Sequence, residues 1–430
     1  MPRNLVLCFD GTNYQFGQEN TNIVRLAQVL DRDPQLQRLY YDPGVGTLPE
    51  PGAWGALEKW LSKIAGLAFG AGLEWKVQEA YAYLMHFWEP GDKVFLFGFS
   101  RGAYTARVLA GMLHALGLLS PGSHNLVPYV MRLFKAIRNE RKHPEATGMA
   151  GDAQGELTKW ENLCNQFRWT FSRPIHQNDD DRRFRVHFLG LWETVSSVGW
   201  LYDPIKFPYT ARNPGIDVIR HAISVDERRW FFRQNRMYRA GAQDLKEFWF
   251  PGVHSDVGGG YSKAKSELWR ISLEWILDEA KAAGLLIDQN RRLSVLPPRP
   301  ADSRPLWTDP QHESLTGLWW LAEFFPKFVW RQDPLPRHTE PSETSNVPHH
   351  SEAHYSRTLA VGLGQYRHIE TGALIHESTL LRIRKIDLAY APPNFPKAFL
   401  EKIRAREDVV ESLPFTQTSE RCFCERRREP

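Results

Sequence analysis

The apolar run Val94 to Phe97 leads straight into Gly98-Phe99-Ser100-Arg101-Gly102, and Ala103 to Leu119 follows at helical spacing. A buried strand that turns directly into a long helix leaves little freedom at the turn. Side chains two residues either side of the serine would collide with strand and helix, so Gly98 and Gly102 fit there. The serine itself sits at an apex with strained backbone angles, which lifts its hydroxyl clear of the sheet. The start of the following helix aims backbone N–H groups at the place where negative charge would develop on a reacting group. The stretch therefore predicts a parallel α/β architecture with a reactive Ser100.

The rest of the chain reads in the same terms. Leu5 to Phe9 is a first strand ending in Asp10-Gly11-Thr12-Asn13, and Asn20-Thr21-Asn22 caps a helix from Ile23 to Leu30. Gln37 to Tyr41 is a second strand. Helical spacing recurs over Trp54 to Leu67 and Leu73 to Trp88, before the strand Asp92 to Phe97. This order predicts a parallel sheet. Residues from about 120 to 182 change to helices and polar loops, an insertion read as a helical cap. Arg185 to Trp192 resumes the sheet and ends in Glu193-Thr194-Val195. Asp217 to Phe232 reads as helical, and Glu247 to Val253 as the next strand, ending in His254-Ser255-Asp256 and the glycines Gly258 to Gly260. Glu267 to Ala283 is an amphipathic helix. The division is residues 1–290 for the α/β domain and 291–430 for an irregular, proline-rich and aromatic region packed on or near the site.

Composition excludes several classes. A formal net charge of +4 over 430 residues, with both signs interspersed, does not suggest nucleic acid. Four cysteines, with Cys8 in an apolar strand, imply no disulfide framework and a reducing compartment. The N-terminus enters a strand with no signal peptide, and no run of about eighteen apolar residues is present. The expected location is the cytoplasm, with signal-less export left open. Asp10-Gly11-Thr12 after the first strand resembles a haloacid-dehalogenase start, but Cys8 stands where that chemistry needs its nucleophilic aspartate. His350 and His354 have i, i+4 spacing, but their surroundings are polar and proline-rich rather than helical, so no metal site is assigned there.

Three strand ends offer a catalytic set: Ser100, then Glu193, then His254. Doubly wound sheets place their sites at such ends, and the order serine, acid, histidine is that of α/β-hydrolases. His254 would take the proton of Ser100, and Glu193 would orient the imidazole. Asp256 is the rival acid, with His376 as an alternative base; Asp256 reads more readily as a support for the glycine turn. His221 and Asp226 read as packing or capping residues on a helix. Backbone N–H groups of Gly11 or Thr12, with Arg101, are the candidate oxyanion hole. Leu318 to Trp330 is dense in aromatic and aliphatic residues, a buried core or a surface for peripheral membrane contact.

Five motifs taken together resemble a known family: Leu7-Cys8-Phe9-Asp10-Gly11-Thr12, Tyr41-Asp42-Pro43-Gly44-Val45-Gly46, Gly98-Phe99-Ser100-Arg101-Gly102-Ala103, Gly190-Leu191-Trp192-Glu193-Thr194-Val195 and Pro251-Gly252-Val253-His254-Ser255-Asp256-Val257-Gly258-Gly259-Gly260-Tyr261. The chain is similar to the largely uncharacterised α/β-hydrolase family that includes the type VI secretion phospholipase effectors of the first lipase class. The resemblance covers residues 3 to about 280, with a weaker echo at His376-Glu377-Ser378. It implies a Ser100–Glu193–His254 triad and ester hydrolysis with a lipid or phospholipid substrate. The family commonly has aspartate where this chain has Glu193, one methylene longer. The resulting expectation is an α/β-hydrolase-like, doubly wound, mostly parallel sheet with a helical cap insertion. Its activity would be that of a serine lipase or phospholipase working through an acyl-Ser100 intermediate, with no metal or organic cofactor and no assigned protein partner. An esterase on small soluble esters and a catalytically silent binding protein are the alternatives.

Overall fold

Along the first strand every side chain is buried, odd residues on one face and even residues on the other. Leu5, Leu7 and Phe9 join one apolar core, and Val6 and Cys8 join a second. A strand buried on both faces belongs in the interior of a parallel sheet covered by helices on each side. This is the arrangement in a computed structural model of the chain, which describes residues 2–11, 19–44, 70–141, 153–175, 182–195, 207–317, 319–324, 327–332, 355–370 and 372–405.

In chain order the elements are β1 (Asn4–Phe9), α1 (Asn22–Val29), β2 (Gln37–Asp42), α2 (Gly70–Phe87), β3 (Lys93–Phe99), α3 (Arg101–Leu116), α4 (Val127–Arg141) and α5 (Ala153–Phe171). They continue as β4 (Val186–Trp192), β5 (Ile216–Ser224), β6 (Asp244–Phe250), α6 (His254–Gly258), α7 (Leu268–Ala282) and α8 (Gln289–Val295). The chain then forms α9 (Trp319–Glu323), β7 (Lys327–Gln332), β8 (Tyr355–Ala360), β9 (Leu374–Ile375), α10 (Glu377–Arg384) and α11 (Lys397–Arg404). Seven strands form one sheet in the order β2-β1-β3-β4-β5-β6-β9, with every pairing parallel. β7 and β8 pair separately as an antiparallel ribbon.

The core on one face packs α2 and α3 against the odd positions of β1. Val130, Met131 and Phe134 of α4 and Cys164 and Phe167 of α5 extend this layer, so the 120–182 insertion shares its core with α3. The other face packs α1 and α7 against Phe95, Phe97 and Phe99 of β3. A third cluster joins Ile223, Val225 and Trp249 to Ile375, Ile383, Phe395 and Leu400. The expected irregular region beyond residue 290 thus holds a sheet strand and two helices that bury apolar groups against β5 and β6.

One element differs in kind from the sequence expectation. Residues 217–232, read as a helix, form most of β5 followed by the single turn Trp230–Phe232. Ile216, Val218, Ile219 and Ile223 are β-branched and alternate with polar Asp217, Arg220 and His221. A helical reading of that pattern holds only while the polar members are taken as solvated. In the structure Arg220 and His221 are buried and paired, to Glu279 and Glu247 respectively. Tertiary pairing overrides the pattern. The segments Trp54 to Leu67 and His349 to His354, and the tail with Cys422 and Cys424, lie outside the described residues.

The sheet order fixes the site. The chain leaves β1 for β2 on one side and returns past it to β3 on the other. The carboxyl ends of β1 and β3 therefore flank a topological switch point, where open α/β sheets leave a crevice. Asp10-Gly11 follows β1 and Ser100 follows β3.

Candidate active site

Ser100 stands between β3 and α3 with φ 56° and ψ −121°, backbone angles that cost a non-glycine residue about 1–3 kcal/mol. Surrounding packing enforces them. A Cβ on Gly98 would come 2.4 Å from Ala103 Cα, and one on Gly102 would come 2.2 Å from the Phe9 carbonyl oxygen. The glycines let α3 fold back onto the ends of β3 and β1. Two backbone hydrogen bonds pin the apex to the neighbouring strand end: Ser100 N–H donates to Trp192 O at 3.0 Å, and Val195 N–H donates to Ser100 O at 3.1 Å.

Glu193 follows β4, also with positive φ at 49°. Its side chain is buried and three groups hold it. Oε1 accepts from Ser224 N–H at 2.5 Å and from Arg367 Nη1 at 2.8 Å, with Oε2 2.9 Å from His254 Nδ1. The backbone N–H of Glu193 donates to Ala222 O at 2.9 Å. The extra methylene has a geometric use. β5 lies between β4 and β6, so the carboxylate must pass over the end of β5 to reach a histidine beyond β6. Adjacent strands are about 4.8 Å apart, and the longer side chain spans the gap while taking the Ser224 N–H on the way. Burial alone would raise the carboxyl pKa. The Arg367 guanidinium and the His254 bond reverse this and hold it well below the usual carboxylate range.

His254 opens α6. Its ring lies between Phe99, 4.8 Å centroid to centroid, and Phe232, also 4.8 Å and edge-on. Phe99 directly precedes Ser100, so this contact sets the imidazole against the serine turn. A Cβ on Gly258 would overlap the Phe99 ring at 1.9 Å, so α6 needs a glycine to approach β3. Burial lowers the His254 pKa and Glu193 opposes the shift; the net direction is down, leaving the ring neutral near pH 7. With Nδ1 bonded to the carboxylate, the proton belongs on Nδ1 and Nε2 carries a free lone pair. A second carboxylate, Glu227, supports the same turn. It accepts the His254 N–H at 3.2 Å, the Ser314 hydroxyl at 2.9 Å and a two-pronged contact from Arg229, whose guanidinium lies 3.7 Å over Phe232.

The other candidates fall as follows. Gly11 is buried beside the turn, and its N–H donates to Asp10 Oδ1 at 2.7 Å. Asp10 also accepts from Thr21 at 2.9 Å and Tyr41 at 2.8 Å, and burial pushes its carboxyl up to about 6. Arg101 is the first residue of α3. Thr12 lies outside the described residues. Asp256 does not meet His376. It accepts from Val253 N–H at 3.0 Å and pairs with His312 Nδ1 at 2.6 Å. His376 instead caps α10 through Ser378 N–H at 3.2 Å and stacks 4.2 Å from Phe250. His221 is not on a helix. It sits on β5, where it bridges Glu247 at 2.7 Å and Thr194 at 3.1 Å, fixing the residue after Glu193. Asp226 holds Gly252 N–H and Tyr390 OH, both at 2.7 Å. Of Leu318 to Trp330, Trp319 lies 5.4 Å edge-on to Phe232, and Glu323 accepts from Trp230 N–H at 2.7 Å. Trp320, Leu321 and Phe324 are exposed.

Sequence reading missed Arg367 and Glu227. Arg367 lies more than a hundred residues beyond the last motif and has no local signature. Glu227 lies within residues 217–232, whose pattern predicts a helix.

A strained serine at the switch point of a parallel sheet, beside a buried carboxylate–imidazole pair on the following strand ends, defines an α/β protein of the α/β-hydrolase type. The chain belongs to the family described as the catalytic domain of Tle1-like type VI secretion phospholipase effectors, which matches residues 3–279. It is 36% identical over 238 residues to the uncharacterized protein YEL023C of Saccharomyces cerevisiae, a match covering 54% of this chain and 32% of that one. Among solved structures it is similar to an uncharacterized protein from Pseudomonas aeruginosa, with 19% identity and a TM-score of 0.37 over 66% of this chain and 47% of that one. It is also similar to the Tle1 effector solved bound to the VgrG spike of the type VI secretion system, with 20% identity and a TM-score of 0.31 over 62% of this chain and 52% of that one. The chain thus spans about a third of the yeast relative and about half of each solved chain.

Proposed function

We propose that the protein is a serine ester hydrolase that releases fatty acid from phospholipid through an acyl-Ser100 intermediate. The observation that carries this reading is the buried 2.9 Å contact of Glu193 with His254 Nδ1, next to a serine held at φ 56°. His254 Nε2 takes the Ser100 proton as Oγ bonds to the ester carbonyl carbon. The tetrahedral adduct collapses, the alcohol leaves with that proton, and the acyl group stays on Ser100. Water then repeats the sequence: its proton goes to His254, its oxygen to the acyl carbon, and Ser100 leaves reprotonated. Glu193 stabilises the imidazolium in both halves. The Arg101 N–H at the start of α3 would hold the oxyanion; the Gly11 N–H is already given to Asp10 Oδ1.

Lipid as substrate is supported by family membership and by the exposed trio Trp320, Leu321 and Phe324. These neighbour Trp319, which touches the Phe232 ring that packs on His254. Large apolar groups standing in water near a site suit docking on aggregated substrate. The reading is tested by fluorophosphonate labelling of wild type, Ser100→Ala and His254→Ala. Labelling confined to wild type supports it. Labelling that persists in Ser100→Ala, or none in wild type, would contradict it.

A further inference from the structure

A polar cavity of about 380 Å³ opens between α1, α8 and the loop after α6, lined by Arg25, Gln28, Lys263, Arg291 and Ser294 with Asn20 at its edge. Three of these carry positive charge. Arg25 is the unusual one. It is 3% exposed, and its Nη1 is buried with no hydrogen-bond partner among the described residues. Its guanidinium stacks 3.5 Å over the ring of Trp269, which fixes its plane but leaves Nη1 unsatisfied. Burial pushes its pKa down to about 10, against a partial opposing effect of Glu267. An unmatched buried guanidinium is costly unless something pairs with it. Arg291 has Asp288 at 3.5 Å, and Lys263 donates to Val295 O at 3.2 Å, so each keeps donors to spare.

We propose that this cavity binds a phosphate group. A phosphate would supply further acceptor oxygens to Lys263 and Arg291 and to the edge of the Arg25 guanidinium that lines the cavity, with the enclosed Nη1 adding charge rather than a contact, and guanidinium groups match it geometrically. Gln28 and Ser294 add neutral hydrogen-bonding groups to the lining. The cavity wall is continuous with the segment that carries His254. Gly259 follows α6 directly and bridges to Thr21, and Gly260 N–H donates to Asn20 O at 3.1 Å. Gly259 is also required sterically, because a Cβ there would sit 2.8 Å from Arg25 Nη1. The inference does not depend on the hydrolase reading.

The test uses the 430-residue Ser100→Ala protein, so that turnover plays no part. Binding of inorganic phosphate is measured by calorimetry at an ionic strength held constant with chloride. Saturable binding is expected, weakened about tenfold or more by Arg25→Gln, as for loss of a hydrogen bond to a charged group. The double variant Lys263→Gln with Arg291→Gln alters exposed or loop positions and should show the same loss even if Arg25→Gln folds poorly. No phosphate binding above the chloride control, or binding unchanged in the double variant, would overturn the proposal. Sedimentation with phosphatidylcholine vesicles, with and without phosphatidic acid, then separates two supporting outcomes. Competition by phosphate and loss in the double variant point to a lipid headgroup; indifference of vesicle binding to both points to a soluble phosphorylated compound.

Discussion

Arg367 Nη1 lies 2.8 Å from Glu193 Oε1, while the other carboxylate oxygen of Glu193 lies 2.9 Å from His254 Nδ1. The guanidinium also reaches Ser224 Oγ at 2.9 Å and the Phe232 carbonyl at 3.1 Å. It ties the acid to the end of β5 and to the residue whose ring packs on His254. Arg367→Met should therefore loosen the carboxylate and lower kcat about tenfold to a hundredfold, the scale of a misplaced catalytic group. A second readout separates positioning from general damage. Without the cation the Glu193 charge acts undivided on the imidazolium, so the His254 pKa should rise and the acid limb of kcat/KM should move to higher pH. A loss of activity with an unmoved limb would assign Arg367 a purely structural role.

That residue also marks the limit of what the sequence offered. The serine turn was legible because Gly98 and Gly102 leave few alternatives, and the sheet because β1, β3 and β4 are apolar on both faces. β5 was not legible: its buried Arg220 and His221 look solvated until Glu279 and Glu247 are brought to them by the fold. Arg367 carries no local pattern, since its role exists only once β9 has docked its segment against β6. The exchange of aspartate for Glu193 raised a question of reach, which the intervening β5 answers.

Glu193 itself gives two expected outcomes. Glu193→Gln keeps the size but removes the charge and disturbs the imidazole tautomer, so kcat should fall by about three to four orders of magnitude. Glu193→Asp keeps the charge but withdraws it from Ser224 N–H and His254, so a loss of tenfold or more is expected. Stopped assays on a soluble ester would measure both. Near-wild-type activity in Glu193→Asp would remove the argument from reach.

The glycines of the serine turn should not tolerate a methyl group. In Gly102→Ala the new Cβ would fall 2.2 Å from backbone oxygen, with no flexible side chain to move aside. Overpacking of this kind costs about 1–3 kcal/mol or more. Urea unfolding should show that loss together with reduced Ser100 labelling. An unchanged midpoint would mean that α3 and β1 are not so closely placed.

Stability should depend on His376. Burial pushes its pKa down to about 3, against an unfolded value of about 6.5. As pH falls below the unfolded value, the unfolded chain takes up a proton that the folded chain refuses. Stability contributed by the neutral ring is therefore lost progressively from about pH 6.5 towards the folded value. Asn also caps helices well, so His376→Asn should fold and should show a flatter fall in Tm between neutral and acid pH. An identical slope in both proteins would count against a His376 held neutral in the folded protein.

The exposed apolar trio should act on aggregated substrate alone. Trp320→Ser with Phe324→Ser should weaken vesicle binding and vesicle hydrolysis while leaving turnover of a short soluble ester unchanged. Equal loss on both substrates would make the trio part of the fold rather than a docking surface.

The most direct measurement is fatty-acid release from phospholipid vesicles, and from a short soluble ester, by wild type beside Ser100→Ala. The account predicts release from vesicles that vanishes in Ser100→Ala while the variant keeps the wild-type fold. Release that survives the substitution, or wild type silent on both substrates, would contradict it.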